Sequence, residues 1–357
     1  MSQAEGVGRM QARSPAASPG VLLSVRDLHT TLQLRDGPAD VVRRVSFDLN
    51  EGETLALVGE SGCGKTMTAL SLIRLVPDPP AKIAGGEVLF EGRDLLALRE
   101  NAMREIRGED VSMVFQEPLT SLDPVFTIGD QLTETVTAHR DVSKAEAQEM
   151  AVQVLREVHI PSAEKRLKAY PHELSGGMRQ RVMIAMALIL DPKILIADEP
   201  TTALDVTIQA QILDLIKEAQ EKRKLAVLLI THNLAVVSQV ADRVAVMYAG
   251  EIVERAPAET LFSDPKHPYT QGLLRSIPLM EEDREYLLDI PGRVPDPRLP
   301  PPACLFAPRC AFGISRCWQE HPRLVETASG HLLRCHNPQP FAAVEQLARS
   351  EVVGQAE

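Results

Sequence analysis

The chain has 357 residues, which is longer than one ordinary domain and supplies enough apolar material for a sizeable core. Hydrophobic residues make up 44% of the chain and aromatic residues 4%, so the core is expected to be mostly aliphatic. The 49 acidic and 38 basic residues give a net charge of -11, which disfavours a protein that mainly binds nucleic-acid phosphates.

Residues 1–20 are rich in Ala, Ser, Gly and Pro and lack a continuous apolar stretch. We expect a disordered tail there rather than a secretory signal. No later apolar run approaches the ~18 residues that cross a bilayer. The protein is therefore expected in the cytosol, alone or docked to a partner. In that reducing compartment the five cysteines favour metal ligation or free thiols over structural disulfides.

Short apolar runs alternate with helical segments through most of the chain. Those predicted to be buried strands are residues 54–58, 194–197 and 226–230. Because buried strands separated by helices are typical of a parallel sheet covered on both faces, the sequence predicts an α/β fold. Residues 243–254 are predicted to form a hairpin around Ala249 and Gly250.

A glycine-rich turn follows the first of these strands. Residues 59–66, GESGCGKT, fit the phosphate-binding pattern G-x-x-x-x-G-K-[ST], with a strand before it and a helix after it. Backbone N–H groups of such a turn, together with the helix N-terminus, favour a bound anion. Lys65 is expected to reach the β- and γ-phosphates of a nucleotide, and Thr66 to hold Mg²⁺. The predicted nucleotide-binding residues here are Gly59, Glu60, Ser61, Gly62, Cys63, Gly64, Lys65, Thr66 and Thr68.

A helical insert is predicted between residues 124 and 176. Ser143 and Glu146 match a capping box, and apolar residues follow at helical spacing. The insert ends at Ser175, Gly176 and Gly177, which precede a long helical run and offer a second possible anion site. By itself this motif would be an ordinary serine N-cap. Beside a phosphate loop, it suggests a second phosphate group or a phosphate bound by another copy of the fold.

The strand at residues 194–197 leads into Asp198 and Glu199. It places two carboxylates at the carboxyl edge of the sheet, where open α/β folds bind ligands. Asp198 is predicted to hold Mg²⁺ directly or through water, and Glu199 to accept a proton from an attacking water. An apolar run before an Asp-Glu pair is often only structural, but its pairing with the phosphate loop favours the metal role.

In this order the motifs resemble those of the ATP-binding subunits of ABC transporters, over residues 24–254. The matching residues are 59–66 of Walker A, Gln116 of the Q-loop, 175–177 of the signature motif, Asp198 and Glu199 of Walker B, 202–205 of the D-loop with Asp205, and His232 of the switch. The resemblance implies a P-loop NTPase with a RecA-like core, an antiparallel β-subdomain and a helical subdomain. The nucleotide-binding domain would span residues 21–256, with its helical part at about 118–176.

The resemblance also implies a head-to-tail dimer with two ATP molecules at its interface. Lys65 and Thr66 of one subunit and Ser175 and Gly177 of the other would hold each ATP. Glu199 would polarise the attacking water. His232 would contact the γ-phosphate, and Gln116 would sense Mg²⁺ and report to a membrane partner.

One feature departs from the family pattern. The family usually stacks the adenine on an aromatic side chain of an early strand, but residues 21–46 contain no Phe, Tyr or Trp. Leu32 or Leu34 stands near the expected place, and a leucine gives up aromatic stacking.

Four cysteines lie within 32 positions near the end of the chain: Cys304, Cys310, Cys317 and Cys335. They form no C-x-x-C pair and do not follow common zinc or ferredoxin spacings. Spacing alone therefore leaves open a metal site, to which histidines could contribute, or free thiols. The candidate histidines are His321, His331 and His336. Cys63 is interpreted as a small residue of the phosphate loop, with exposed thiol chemistry as the alternative.

Within the ABC family the chain is similar to the oligopeptide/dipeptide importers. The similarity rests on residues 267–270 (HPYT), 273–274 (LL), 290–292 (IPG) and 304–310 (CLFAPRC). It implies a C-terminal extension over residues 257–357, in which the four cysteines hold a [4Fe-4S] cluster, with zinc as the alternative. The role of the cluster is expected to be structural or regulatory, since nothing in the sequence places it near the ATP phosphates. Within this segment, residues 278–302 contain seven prolines, which disfavour long helices.

This branch implies an ATP-hydrolysing motor for the import of short peptides, peripheral to the cytoplasmic face of the membrane. Its partners would be two transmembrane permease subunits, a second and similar ATPase subunit, and an extracytoplasmic peptide-binding protein, with no nucleic acid. One alternative is a soluble ABC ATPase acting on DNA or ribosomes, which the single ATPase unit and the acidic charge disfavour. Another is an ATP-driven iron–sulfur redox enzyme, which the signature motif and the helical insert disfavour.

Overall fold

The computed structural model describes residues 20–117, 121–202, 204–276, 290–298, 303–328 and 330–341. The tail predicted for residues 1–20 lies outside the described residues except for Gly20. Most of the proline-rich segment at residues 278–302 also lies outside them. The described chain is built on two β-sheets with helices packed around the larger one.

The smaller sheet is antiparallel and has the strand order β2-β1-β4-β5. Its strands are β1 (Val21–Leu34), β2 (Gly37–Asn50), β4 (Ala81–Phe90) and β5 (Arg93–Asp94). The pattern of residues did not predict β1 and β2, although each has 14 residues. The β1–β2 register shifts at several points, including between Val25 and Leu28. Such irregularities break the strict alternation by which a strand is recognised in a sequence.

The larger sheet carries the predicted motifs and has the order β11-β12-β10-β9-β3-β8-β7-β6. Its strands are β3 (Thr54–Val58), β6 (Val111–Val114), β7 (Ile194–Asp198), β8 (Ala226–Thr231), β9 (Arg243–Tyr248), β10 (Glu251–Pro257), β11 (Val325–Ala328) and β12 (His331–Leu333). Strands β6, β7, β8, β3 and β9 run parallel, and nearly all of their residues are buried. The predicted α/β class and the hairpin of β9 and β10 are confirmed.

Helices connect these strands. They are α1 (Lys65–Leu72), α2 (Glu100–Ile106), α3 (Ile128–Thr137), α4 (Lys144–Glu157), α5 (Ala163–Arg166), α6 (Gly176–Leu188), α7 (Val206–Arg223), α8 (Leu234–Val240), α9 (Ala258–Ser263), α10 (Pro268–Arg275) and α11 (Ser315–Gln319). The helical character predicted for the insert is confirmed by α3, α4 and α5. The capping box is present as well: the Ser143 hydroxyl accepts from the Glu146 N–H, and the Glu146 carboxylate accepts from the Ser143 N–H.

The C-terminal extension joins the larger sheet. Strand β12 pairs antiparallel with β10, and β11 pairs with β12. Tyr248 of β9, Tyr269 of α10 and Phe306 form an aromatic group with ring centroids 4.6 to 5.5 Å apart. These rings belong to one apolar cluster that also contains Ala56 and Val58 of β3. The extension and the strand that leads into the phosphate loop therefore share a core.

Candidate nucleotide site

The phosphate loop runs from the end of β3 to the start of α1. A Cβ at Gly59 would lie 2.2 Å from the Met247 carbonyl oxygen, and a Cβ at Gly64 would lie 2.3 Å from the Val41 carbonyl oxygen. Gly64 also has a φ of +104°, which side chains disfavour. The loop is thus pressed against β9 and β2 in a conformation that requires glycine at both positions.

Lys65 is folded back over this loop. Its ammonium group donates hydrogen bonds to the carbonyl oxygens of Gly59 at 2.8 Å and Glu60 at 3.0 Å, and its side chain is buried. A buried cation held by neutral carbonyl oxygens retains a strong field for a bound anion. Lys65 is therefore placed for the phosphate contact that the sequence predicted.

Thr66 and Asp198 lie side by side at the base of the loop. The Thr66 hydroxyl donates to Asp198 Oδ1 over 3.3 Å. Burial raises the pKa of Asp198 to about 6, in spite of the hydrogen bond from Thr66. A buried carboxylate is stabilised by a nearby cation, and hydroxyl and carboxylate oxygens suit Mg²⁺. These two side chains fit the predicted magnesium site.

Side chains from three loops contact the Glu199 carboxylate. Gln116 Nε2 donates to Glu199 Oε2 at 3.0 Å, and the Thr202 hydroxyl donates to the same oxygen at 2.8 Å. His232 Nδ1 lies 3.2 Å from the other oxygen, Oε1. Burial opposes ionisation of Glu199, but the hydrogen bonds from Thr202 and His232 outweigh it and hold the pKa of this carboxyl below its ordinary value. The structure thus brings together three residues that are far apart in the sequence, and adds Thr202 as a contact of Glu199.

The signature motif and the D-loop both begin helices. The Ser175 hydroxyl caps α6 by accepting from the Met178 N–H, and the Asp205 carboxylate caps α7 by accepting from the Ile208 N–H. Ser175 and Gly176 are exposed. Ser175 is therefore a normal N-cap within its own chain, and it also lies at a helix start open to another molecule.

The remaining predicted loop residues have different environments. Thr68 is buried and donates its hydroxyl to the Gly64 carbonyl oxygen at 2.9 Å. Cys63 is buried, and burial raises the pKa of its thiol, so the alternative of exposed thiol chemistry is wrong. Near the expected adenine position, Leu32 is half-buried and Leu34 is exposed.

Two residues of the C-terminal extension contact the phosphate loop, and the sequence did not reveal them. The Tyr269 hydroxyl accepts from the Glu60 N–H at 2.9 Å. The Arg309 guanidinium donates to both carboxylate oxygens of Glu60, at 2.8 and 3.0 Å. Arg309 directly precedes Cys310, so the structure brings part of the cysteine segment to the phosphate loop, which nothing in the sequence indicated. Both residues stood inside the motifs that indicated the family, but nothing in those motifs indicated this contact.

None of the four C-terminal cysteines forms a disulfide. Burial raises the pKa of Cys335 to about 12, and the charges of the other three thiolates add to this effect. The Cys304 N–H donates to the Cys317 carbonyl oxygen at 3.0 Å, which places these two cysteines side by side. Over the described ranges, no group of three or more His, Cys, Asp or Glu residues is arranged to hold a metal ion.

The histidines that could have replaced a cysteine ligand have other contacts. His331 Nε2 lies 2.8 Å from a carboxylate oxygen of Glu254, and His321 Nε2 lies 2.9 Å from one of Glu251. His336 Nε2 lies 3.0 Å from a backbone carbonyl oxygen. These contacts disfavour the three imidazoles as metal ligands.

Comparisons with known proteins agree with this geometry. A family model described as ABC transporter matches residues 42–202, and one described as oligopeptide/dipeptide transporter, C-terminal region, matches residues 253–317. The oligopeptide transport ATP-binding protein AppD of Bacillus subtilis (strain 168) is 51% identical over 314 residues, which cover 88% of this chain and 96% of AppD. The chain belongs to the oligopeptide/dipeptide family of ABC transporter ATP-binding proteins.

Two further comparisons support this membership. The dipeptide transport ATP-binding protein DppD of the same organism is 51% identical over 314 residues, 88% of this chain and 94% of DppD. A dimeric post-hydrolysis structure of the ATP-binding cassette MJ0796 with ADP and Pi is 26% identical, with a TM-score of 0.59. The match covers 66% of this chain and 98% of that chain. The predicted family and the P-loop NTPase fold are confirmed, and the family chemistry is ATP hydrolysis.

Proposed function

We propose that this chain is the ATP-hydrolysing motor subunit of an ABC importer for oligopeptides or dipeptides. The observation that carries the proposal is the convergence of Gln116, Thr202 and His232 on Glu199, at the same sheet edge as the phosphate loop. AppD and DppD are each 51% identical to this chain over nearly their whole lengths, and their names are those of oligopeptide and dipeptide transport proteins. This similarity supports peptides as the solute.

In this mechanism the chain binds the triphosphate and positions a water molecule. Lys65 neutralises the β- and γ-phosphates, while Thr66 and Asp198, with Gln116 nearby, would hold Mg²⁺. The ion supplies positive charge to the terminal phosphates. Glu199 is oriented by Gln116, Thr202 and His232 and accepts a proton from the water molecule. At the same time the oxygen of that water attacks the γ-phosphorus, and ADP leaves. His232 contacts the γ-phosphate.

We propose that hydrolysis requires a head-to-tail dimer, because four of the predicted nucleotide-binding residues lie at the starts of α6 and α7 rather than in the phosphate loop. Ser175, Gly176 and Gly177 of one subunit would hold the γ-phosphate bound by the other. Asp205 is exposed at the start of α7, so it too is open to contact with the partner subunit. The dimeric state of the similar cassette supports this arrangement.

Exposed apolar residues beside the Q-loop support docking to membrane-embedded subunits. Phe115, Val125 and Phe126 are large side chains that are all at least 40% exposed, and Phe115 directly precedes Gln116. No helix in the described segments is long and apolar enough to cross a membrane. We propose a peripheral subunit at the cytoplasmic face, bound to two transmembrane permease subunits and a second, paralogous ATPase. An extracytoplasmic peptide-binding protein would deliver the solute, and nucleic acid would take no part.

We also propose a domain division and a cofactor for the extension. The nucleotide-binding domain would span residues 21–256, with its helical part at about 118–176, and the extension residues 257–357. Cys304, Cys310, Cys317 and Cys335 would hold a [4Fe-4S] cluster. The backbone contact between Cys304 and Cys317 supports this, as does the match of residues 253–317 to the C-terminal region of oligopeptide/dipeptide transporters.

Two experiments test these proposals. Co-purification from membranes, followed by uptake of labelled peptides into vesicles, should give ATP-dependent uptake that Glu199→Gln abolishes. Uptake that persists in this variant, or nucleic acid in place of membrane subunits, would contradict the motor role. Anaerobic purification should give a brown protein containing iron and sulfide, whereas a colourless protein loaded with zinc would exclude the cluster.

A further inference from the structure

The C-terminal extension contacts three atoms of one phosphate-loop residue, Glu60. Arg309 donates to both oxygens of the Glu60 carboxylate, and the Tyr269 hydroxyl accepts from the Glu60 N–H. The Glu60 carbonyl oxygen accepts from the ammonium of Lys65. Glu60 is thus a direct link between the extension and the lysine that reaches the phosphates.

Arg309 is held rigidly in this position. Its side chain is 4% exposed. Its Nε donates to the Pro291 carbonyl oxygen and its Nη2 to the Ile290 carbonyl oxygen, each at 2.9 Å. The guanidinium carbon also lies 5.8 Å from the centroid of the Tyr248 ring. A bidentate pair anchored in this way fixes both the position and the orientation of the Glu60 carboxylate.

The charge balance between Arg309 and Glu60 should affect nucleotide binding. Glu60 places a negative charge in a loop that must bind a triphosphate, and like charges repel strongly in partly buried surroundings. Arg309 neutralises that charge from the side of the extension. Without Arg309, the uncompensated Glu60 carboxylate would repel the phosphates of ATP.

We propose that Arg309, supported by Tyr269, is a positioning residue for ATP binding, through which the C-terminal extension sets the affinity of the phosphate loop. The proposal rests on the proposed function only in that this loop binds ATP. Arg309 acts through Glu60 and does not touch the nucleotide. Because Cys310 follows Arg309 in the chain, any change that moves the cysteine segment also moves the guanidinium.

The test is equilibrium binding of Mg²⁺-ATP to the full chain. Arg309→Met should weaken binding by about tenfold or more, and tenfold corresponds to about 1.4 kcal/mol. Glu60→Gln removes the charge that Arg309 neutralises and keeps one side-chain oxygen that can accept a hydrogen bond from the guanidinium. The double variant should therefore bind ATP more tightly than Arg309→Met alone. Its ATP affinity should lie within about twofold of that of Glu60→Gln, since effects of separate substitutions usually combine with an error of about that size.

Arg316→Met is the matched control. Arg316 also directly precedes a cysteine of the extension, but it is exposed and pairs with Glu320. This variant should bind ATP like the unchanged chain. Lys65→Ala tests the loop itself, and if it too binds normally, the proposed nucleotide site fails rather than the inference alone.

Two results would overturn the inference. One is unchanged ATP affinity in Arg309→Met while Lys65→Ala loses binding. The other is a double variant that binds ATP as weakly as Arg309→Met does. That result would indicate a general loss of structure in Arg309→Met, because Glu60→Gln would not restore it. If Arg309→Met does not fold, Tyr269→Phe decides: it removes one hydroxyl and should weaken ATP binding several-fold, and unchanged binding would refute the proposal.

Discussion

The close packing of the phosphate loop predicts that a single added methyl group at Gly64 impairs nucleotide binding. A Cβ at this position would lie 2.3 Å from the Val41 carbonyl oxygen, whereas contacts under 3.0 Å essentially never occur. The backbone would have to move by at least the difference, and α1 begins at the next residue. Lys65 and Thr66 would move with it. Gly62 is the matched control, because its φ is also positive, at +77°, but a Cβ there meets nothing within 4 Å.

The size of the effect follows from these two geometries. Both alanines adopt a left-handed conformation, which costs roughly 1–2 kcal/mol. Only Gly64→Ala adds a steric overlap, which costs about 1–3 kcal/mol in packed structures. If this whole cost of the overlap is lost from the binding free energy, Gly64→Ala should weaken ATP affinity roughly fivefold to 150-fold more than Gly62→Ala does.

The assay is titration of each full-length variant with Mg²⁺-ATP, alongside thermal unfolding without nucleotide. Unfolding separates a general loss of stability from a local distortion of the loop. Equal losses of affinity in the two variants would show that backbone strain, and not contact with β2, limits the loop. A Gly64→Ala protein that binds ATP normally would show that the loop can move away from β2 at no cost.

Three further predictions follow from the site and the core. Glu199→Gln keeps the shape of the side chain but cannot accept a proton, so turnover should fall by about 10²–10³-fold while ATP binding persists; near-normal turnover in an ATPase assay would refute its role. Gly176→Asp should abolish hydrolysis, because a side chain fits there with only Leu204 at 3.9 Å and its carboxylate would face the partner's phosphate, but single-chain ATP affinity should not change. Burial lowers the pKa of His267 to about 4, so the unfolded chain binds the extra proton as pH falls below 6.5, and the unfolding free energy should drop by about 3 kcal/mol towards pH 4. His267→Asn should flatten this dependence in denaturant titrations.

The parts of the fold that could be predicted are those encoded in contiguous residues. The strand at residues 54–58 and the turn after it are read from a short apolar run and a fixed glycine spacing. The helix at Lys144–Glu157 follows from a capping box and an apolar stripe. Strands β1 and β2 were missed because their register shifts disturb the alternation that marks a strand.

The convergence on Glu199 could be expected from the family resemblance but not from local pattern. Gln116 lies 83 positions away in the sequence and His232 lies 33 away. Only the parallel order of β6, β7 and β8 brings the ends of these segments together. The contact between Arg309 and Glu60 spans 249 positions, and neither the phosphate-loop pattern nor the cysteine spacing contains a residue that demands the other.

The placement of aromatic residues explains why this distant contact can act on the loop. In a chain with only 4% aromatic residues, Tyr248, Tyr269 and Phe306 are packed together between β9 and the extension. Aromatic side chains have few rotatable bonds, so a packed cluster of them forms a rigid contact between the two segments. A guanidinium carried on a loosely attached segment would fluctuate relative to Glu60, and its effect on the carboxylate would average away. Tyr269 belongs to this cluster, and the Arg309 guanidinium lies 5.8 Å from the centroid of the Tyr248 ring. A displacement of the cysteine segment should therefore move both contacts of Glu60.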